Sequence, residues 1–241
     1  MFKRIAQTAG FAGLLAAIFL TLLQSFWVTP LILQAESYEN NAPAQDVLNE
    51  HSHAAATPAH SHEAAAGHSH NAEAWSPEHG WQRTLATGLS NLVVAIGFAL
   101  VLAGLFTLRA PGQTWQGLLW GLGGFATFSL APAAGLPPEL PGSAAAELLL
   151  RQYWWIGTAV ATAVGLGLLA FSRHWALRIA GLLVLAIPHL IGAPQPEVHA
   201  SLAPAALEQE FILASLLSNA LFWAALGLAA AWFYTRPQQS A

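Results

Sequence analysis

The sequence predicts an all-α integral membrane protein with about six transmembrane helices. The chain is 55% hydrophobic and only 8% charged, a composition too apolar for a chain dissolved in water. Six apolar stretches come close to the roughly 20 residues that a helix needs to cross a bilayer. Most of the few basic residues also fall on one side of the membrane when these stretches are taken as spans, as they do in multi-pass membrane proteins.

The six apolar stretches divide the chain into a first helix, a long loop and a five-helix bundle. The third and fifth stretches are short, and Pro188 interrupts the fifth. We expect the first helix to remain uncleaved, because its apolar run is longer than that of a signal peptide. The predicted spans are residues 5–27, 85–108, 115–131, 153–171, 176–191 and 211–234. The predicted regions are residues 1–29 (first helix), 30–83 (outer loop), 84–236 (bundle) and 237–241 (tail).

Basic residues set the predicted orientation, because they favour the cytoplasmic side of short loops. With Lys3 and Arg4 inside, six crossings place both termini in the cytoplasm. All 12 acidic residues then fall outside. The other basic residues on the inner side are Arg109, Arg173, Arg178 and Arg236, and those on the outer side are Arg83 and Arg151.

The predicted outer loop, which we expect to be disordered, carries most of the histidines. The tripeptide His-Ser-His occurs three times, spaced nine and then eight residues apart in an Ala-rich background. In an extended segment the two histidines of one tripeptide point to the same face and can hold one cation. These candidate metal ligands are His51, His53, His60, His62, His68 and His70, with His79 nearer to the second helix.

The ligand chemistry predicts a divalent transition metal as the substrate. The chain has no cysteine, which excludes thiolate sites. Imidazole accepts cobalt, nickel, zinc and copper(II) without sharp selection among them. The alternative is that the repeats are low-complexity sequence in a solvated linker.

Polar residues at the end of the fifth span are candidates for an ion pathway. Pro188 leaves the carbonyl of Val184 without its helical donor, beside His189 and close to Glu197 and His199 in the following loop. Ionisable groups and broken helices often line ion pathways in membranes. The simpler interpretation is a histidine at the membrane interface.

Further polar residues near the span ends are pathway candidates. Glu147 and Arg151 have the spacing of an ion pair at the start of a helix. Asn91 and Asn219 hold matching places in "LATGLSN" and "LASLLSN", where an amide often links two helices. The complete set of pathway candidates is Gln24, Glu36, Glu39, Asn91, Glu147, Gln152, Glu197 and Asn219.

Missing motifs narrow the function further. No G-x-x-x-x-G-K-[ST] motif occurs, which argues against nucleotide hydrolysis with a phosphate-binding loop of that type. Neither H-E-x-x-H nor G-x-S-x-G occurs, which argues against a zinc protease and an esterase. The eight basic residues are scattered along the chain, so nucleic acid is not an expected partner. We therefore expect no enzymatic activity and no organic cofactor, with membrane lipid as the surroundings.

Several segments together carry a family resemblance. They are "PLILQAESYE" after the first span, the His-rich loop, "WSPEHGWQRTLATGLSN", "RQYWW" and "PHLIGAPQPE". In these segments, and over nearly its whole length, the chain resembles the CbtA family of proposed bacterial cobalt transporter subunits. The resemblance implies cobalt as substrate, a link to cobalamin biosynthesis, a multi-pass location in the bacterial inner membrane, and a small single-span CbtB-like partner that carries histidine.

Two classes of function therefore compete. The leading hypothesis is a subunit of a transition-metal importer, whose outer loop captures the ion and hands it to a membrane pathway. The alternative is a membrane-tethered metal buffer or sensor that does not itself transport. Six spans with a proline in the fifth are more than a tether requires, which favours transport. A metal-dependent membrane enzyme is least favoured, because no span holds a cluster of carboxylates and histidines.

Overall fold

The computed structural model describes residues 2–41, 77 and 80–236. In these ranges the chain forms six helices and no strand. Residues 116–133 form one continuous helix that contains a π-helical stretch, Ala126–Leu130. The helices are α1 (Phe2–Asn41), α2 (Trp81–Leu108), α3 (116–133), α4 (Leu148–Phe171), α5 (Trp175–Ile191) and α6 (Ala205–Thr235).

Four of the helices are long enough and apolar enough to cross a membrane, namely α1, α2, α4 and α6. The shorter α5 has 17 residues. Each of the six apolar stretches of the sequence coincides with one helix, which confirms the all-helical prediction. The number of crossings, six as against four, stays a prediction for α3 and α5.

The first helix is longer than we expected. We placed its end at residue 29, but α1 continues to Asn41 and spans 40 residues, or about 60 Å. Its extension stays helical because Val28, Leu31 and Ala35 are buried with Leu207 and Phe211 of α6. Burial of this apolar face, which a window of membrane length does not register, stabilises the additional turns.

The helices pack as an antiparallel bundle around α6. The first helix lies along both α2 and α6, α3 lies on α6, and α5 packs mainly on α4. The contact between α3 and α6 is especially close, because a Cβ atom at Gly117 or Gly121 would collide with a backbone oxygen of Gly227 or Trp223. Small residues at this contact let the two backbones approach, as in other membrane helix pairs.

Charged side chains separate between the two ends of this bundle. The acidic end is where α1, α3 and α5 finish, and the basic end is where α2, α4 and α6 finish. At the acidic end, the described carboxylates are Glu36, Glu39, Glu139, Glu147, Glu197, Glu208 and Glu210. At the basic end are Lys3, Arg4, Arg109, Arg173, Arg178 and Arg236. The two remaining arginines, Arg83 and Arg151, are each paired with a glutamate.

Candidate functional site

A cavity of about 770 Å³ lies at the acidic end between α3, α4 and α6. We call this cavity the vestibule. Along α4 its lining runs from Leu148 to Ile156, an extent of about 12 Å along the helix axis at 1.5 Å per residue. Its polar lining residues are Ser129, Glu139, Arg151, Gln152 and Asn219.

An ion pair forms part of the vestibule wall. Arg151 Nη2 donates to Glu139 Oε2 over 2.8 Å, and the two side chains are 28% and 30% exposed. We expected Arg151 to pair with Glu147, and that expectation is wrong. Glu147 precedes the first helical residue and has an extended ψ of 131°, so its side chain does not lie on the helix face that the i, i+4 spacing assumes.

Two predicted pathway residues come together in the vestibule. Gln152 is exposed on α4, and Asn219 is half-buried on α6. Asn219 Nδ2 donates to the carbonyl of Ser215 in its own helix over 2.9 Å. That bond uses one amide hydrogen and does not involve the side-chain oxygen, which is an acceptor.

A second polar cluster lies between α1 and α2. Asn91, only 9% exposed, donates through Nδ2 to Gln24 Oε1 at 2.7 Å and to Thr21 Oγ1 at 3.1 Å. Both acceptors are on α1, so the asparagine links the two helices. The structure thus brings Gln24 and Asn91 together, away from the vestibule lining.

Gln24 also begins the first of two π-helical stretches. These are Gln24–Val28 in α1 and Ala126–Leu130 in α3. Each is followed by a proline at the same spacing, as the segments "QSFWVTP" and "ATFSLAP" make visible. Pro30 and Pro132 offer no N–H to the carbonyls of Phe26 and Phe128, and π-helical turns are frequent at functional sites.

The outer carboxylates of α1 have different surroundings. Glu36 receives two hydrogen bonds from Arg83 at the start of α2, over 2.7 and 3.1 Å. The pair joins the helix ends that lead into and out of residues 42–79. Glu39 is exposed one turn later. Glu36 therefore contributes to holding α1 and α2 together at the acidic end.

His189 and Pro188 belong to a packed helix end. Pro188 is buried and remains inside α5, which continues to Ile191. Its carbonyl accepts bonds from Gly192 N at 3.0 Å and from Trp154 Nε1 at 3.2 Å. The exposed ring of His189 meets the Trp154 ring edge to face, with 6.0 Å between centroids. Its role as a pathway ligand stays a prediction.

A smaller cavity of about 260 Å³ lies next to the vestibule between residues 135–146 and 194–201. His199, Glu139 and Glu208 line it, and Glu139 lines both cavities. The His199 Nε2 atom lies 3.3 Å from Gln195 Oε1. Glu197 is exposed and outside the lining. The two cavities therefore share one wall, residues 136–139, in which Glu139 is the charged residue.

Direct metal ligation is not evident in the part of the chain that the structure describes. Within residues 2–41, 77 and 80–236, no three His, Asp or Glu side chains are close enough to hold one ion. The loop ligands His51, His53, His60, His62, His68, His70 and His79 lie outside the described residues. The vestibule lining therefore offers amide, hydroxyl and paired charged groups rather than a cluster of metal ligands.

Sequence reasoning missed three residues of the vestibule and the amide cluster. Ser129 and Glu139 line the vestibule, and Thr21 completes the amide cluster. Comparing "QSFWVTP" with "ATFSLAP" could have identified the segment of Ser129. Nothing in the local sequence of Glu139 points to its pairing with Arg151, because that contact depends on how residues 134–147 fold.

Comparison with known proteins identifies the family. The family model described as "Probable cobalt transporter subunit (CbtA)" matches residues 2–235. No curated protein and no solved structure gives a significant match. The family match and the four long apolar helices indicate a multi-pass membrane protein. The chain belongs to the CbtA family of probable cobalt transporter subunits.

Proposed function

We propose that this chain forms the membrane pathway of a cobalt importer, with the acidic end outside and the basic end in the cytoplasm. The positive-inside rule supports this orientation, because six of the eight basic residues gather at one end. In this arrangement all six helices cross the bilayer and both termini are cytoplasmic. Both vestibule and His-rich loop then face the side from which metal arrives.

The vestibule is the observation that carries the proposal. A tether needs no cavity between its helices, whereas an importer does. Six water molecules occupy about 180 Å³ at liquid density, so a hexahydrated dication fits within the 770 Å³ cavity. Gln152, Asn219 and Ser129 offer it amide and hydroxyl groups, which suit contact through the water shell.

The His-rich loop supplies the capture step in this proposal. Its three His-Ser-His units provide six imidazoles, ligands that suit borderline divalent metals. The loop begins and ends at helices joined by Glu36 and Arg83, so its effective concentration near the acidic end is high. Cobalt is the substrate that the family description names, while nickel and zinc fit the same ligands.

The family description also calls the protein a subunit, which implies a partner. We propose that a small single-span CbtB-like protein is this partner and that the pair resides in the bacterial inner membrane, where it supports cobalamin biosynthesis. A dication moving inward gains about 4.6 kcal/mol per 100 mV of membrane potential. Import therefore needs neither catalysis by this chain nor an organic cofactor.

Metal uptake by vesicles tests the proposal against the buffer or sensor alternative. Right-side-out vesicles with this chain and its partner should accumulate radioactive cobalt when a negative-inside potential is applied. A buffer would bind the same cobalt without accumulation inside, and the bound metal would be released by an external chelator. Reporters fused at Ala54 and at Gln238 should lie outside and inside respectively, and reporters on one side would contradict the topology.

A further inference from the structure

An aromatic cluster lies at the inner limit of the vestibule. Phe128 lines the vestibule and stacks on Trp223, with ring centroids 5.7 Å apart and planes at 4°. Phe98 of α2 meets both rings, at 5.0 Å from Phe128 and 4.6 Å from Trp223. Trp155 on α4 stands 6.3 Å from Phe128. Four different helices thus contribute one ring each.

The cluster separates the vestibule from the basic end. Trp223 follows Asn219 by one turn of α6 in the direction of the basic end and is only 2% exposed. A Cβ atom at Gly124, one turn before Phe128, would collide with the Trp223 ring. Trp223 belongs to the apolar core of the bundle, and Phe98 and Phe128 pack against that core; apolar constrictions of this kind exclude water and ions.

The backbone under Phe128 is irregular. Phe128 is the central residue of the π-helical stretch Ala126–Leu130, in which the N–H of Ala131 bonds to the carbonyl of Ala126. Pro132 removes the donor that the Phe128 carbonyl would have in an α-helix. Conversion of a π-helical turn into an α-helical one shifts the register by one residue, which rotates a side chain by about 100°.

We propose that Phe128, Phe98 and Trp223 form the gate of the ion pathway, and that the π-helical stretch of α3 moves Phe128 to open it. The inference rests on the proposed function, because a gate presumes a pathway. In the closed arrangement the rings stop a hydrated cation beside Asn219. In the open one the cation passes the ring faces, which attract positive charge.

Downhill cobalt flux tests the gate. Vesicles containing the chain and its partner are loaded with a fluorescent indicator that cobalt quenches, and no membrane potential is applied. Replacing Phe128 by Ala should raise the quenching rate about tenfold or more, because the constriction is lost. Phe128→Leu keeps apolar bulk and should stay near the wild-type rate. Phe233→Ala removes a ring that stacks on Phe11 outside the gate and is the matched control.

The movement has its own test. Pro132→Ala supplies the missing N–H to the Phe128 carbonyl and favours the α-helical register. The rate of cobalt flux should therefore differ from the wild-type rate. In the control Phe233→Ala the rate of cobalt flux should equal the wild-type rate. Equal flux in Pro132→Ala and wild type would overturn the role of the π-helical stretch. Equal flux in Phe128→Ala and wild type, at matched protein in the membrane, would overturn the gate.

A thiol probe separates failure of the gate from failure of the pathway. The chain has no cysteine, so Ser129→Cys introduces a single thiol in the vestibule. A charged, impermeant thiol reagent added outside should label it in the wild-type and Phe128→Ala backgrounds alike. Without labelling the vestibule does not open outward, and the proposed function fails. Labelling with unchanged flux in Phe128→Ala refutes only the gate.

Discussion

Asn91 donates to Gln24 over 2.7 Å and to Thr21 over 3.1 Å, using both hydrogens of its amide across the α1–α2 interface. The sequence offered two interpretations for Asn91, a link between helices or a contact for the substrate. The observed bonds favour the link. Asn219, its counterpart in the matching segment, donates to the backbone carbonyl of Ser215 in its own helix and lines the vestibule.

Replacing Asn91 by Leu should therefore destabilise the bundle. The change removes both interhelical bonds and leaves Gln24 without this donor in an apolar environment. Polar contacts between membrane helices contribute about 0.6 kcal/mol each on average, so the loss of two such bonds should cost about 1 kcal/mol. Equilibrium unfolding in detergent micelles measures it, with Ser90→Leu on the exposed face of α2 as the control. Unchanged stability in Asn91→Leu would contradict the linking role.

Replacing Asn219 by Leu should affect cobalt uptake rather than the stability of the bundle. Its loss removes a bond within α6 and a polar group from the vestibule, so stability should change little while cobalt uptake falls several-fold. The measurement is uptake at saturating cobalt, compared with unfolding of the same preparation. If Asn219→Leu instead loses stability as Asn91→Leu does, and its cobalt uptake per amount of protein in the membrane is normal, Asn219 serves packing.

These two asparagines illustrate how much of the structure can be predicted from the sequence. The helices could be predicted because apolar runs of membrane length determine them, and all six are found. The matching places of Asn91 and Asn219 in "LATGLSN" and "LASLLSN" could also be read from the sequence. Which partner each amide meets could not be predicted, because contacts such as Asn91 with Gln24 depend on how α2 rotates against α1.

The ends of elements were harder to predict than their existence. A hydropathy window ends α1 near residue 29, yet burial of Leu31 and Ala35 extends it to Asn41. Similarly, the spacing of Glu147 and Arg151 predicts an ion pair only if both lie within the helix. Because α4 begins after Glu147, Arg151 pairs instead with Glu139, which the fold of a loop places there.

The Glu139–Arg151 pair should tune the affinity of the vestibule for cations. Glu139→Gln leaves the positive charge of Arg151 uncompensated beside an incoming dication, so the half-saturating cobalt concentration should rise several-fold. Arg151→Gln leaves a negative charge and should lower it. The double variant removes both charges and should lie between the single variants. Cobalt uptake at low ionic strength measures these shifts, because salt screens partly exposed charges.

The electrostatic role of the pair is tested by the direction in which each substitution shifts the half-saturating cobalt concentration. A purely structural ion pair would make Glu139→Gln and Arg151→Gln impair uptake alike, through loss of protein from the membrane. Opposite shifts in half-saturation at equal protein amounts support an electrostatic role in the vestibule. The pair Glu36–Arg83, which lies outside the vestibule lining, provides the matched control, since Glu36→Gln should not shift the half-saturating concentration.

The six histidines of the three His-Ser-His units should matter most when metal is scarce. Replacing all six by Ala removes the capture site but not the pathway, so uptake should fall at low cobalt and recover at saturating cobalt. Protonation should act in the same direction. Free imidazole has a pKa near 6.5, and a protonated ring cannot bind metal, so the advantage of wild type over the six-Ala variant should shrink below about pH 6. Uptake at two cobalt concentrations and at pH values above and below this point measures the effect.

An equal deficit of the six-Ala variant at saturating cobalt would instead make the loop part of the translocation site. A deficit that persists unchanged at low pH would exclude imidazole as the capturing group.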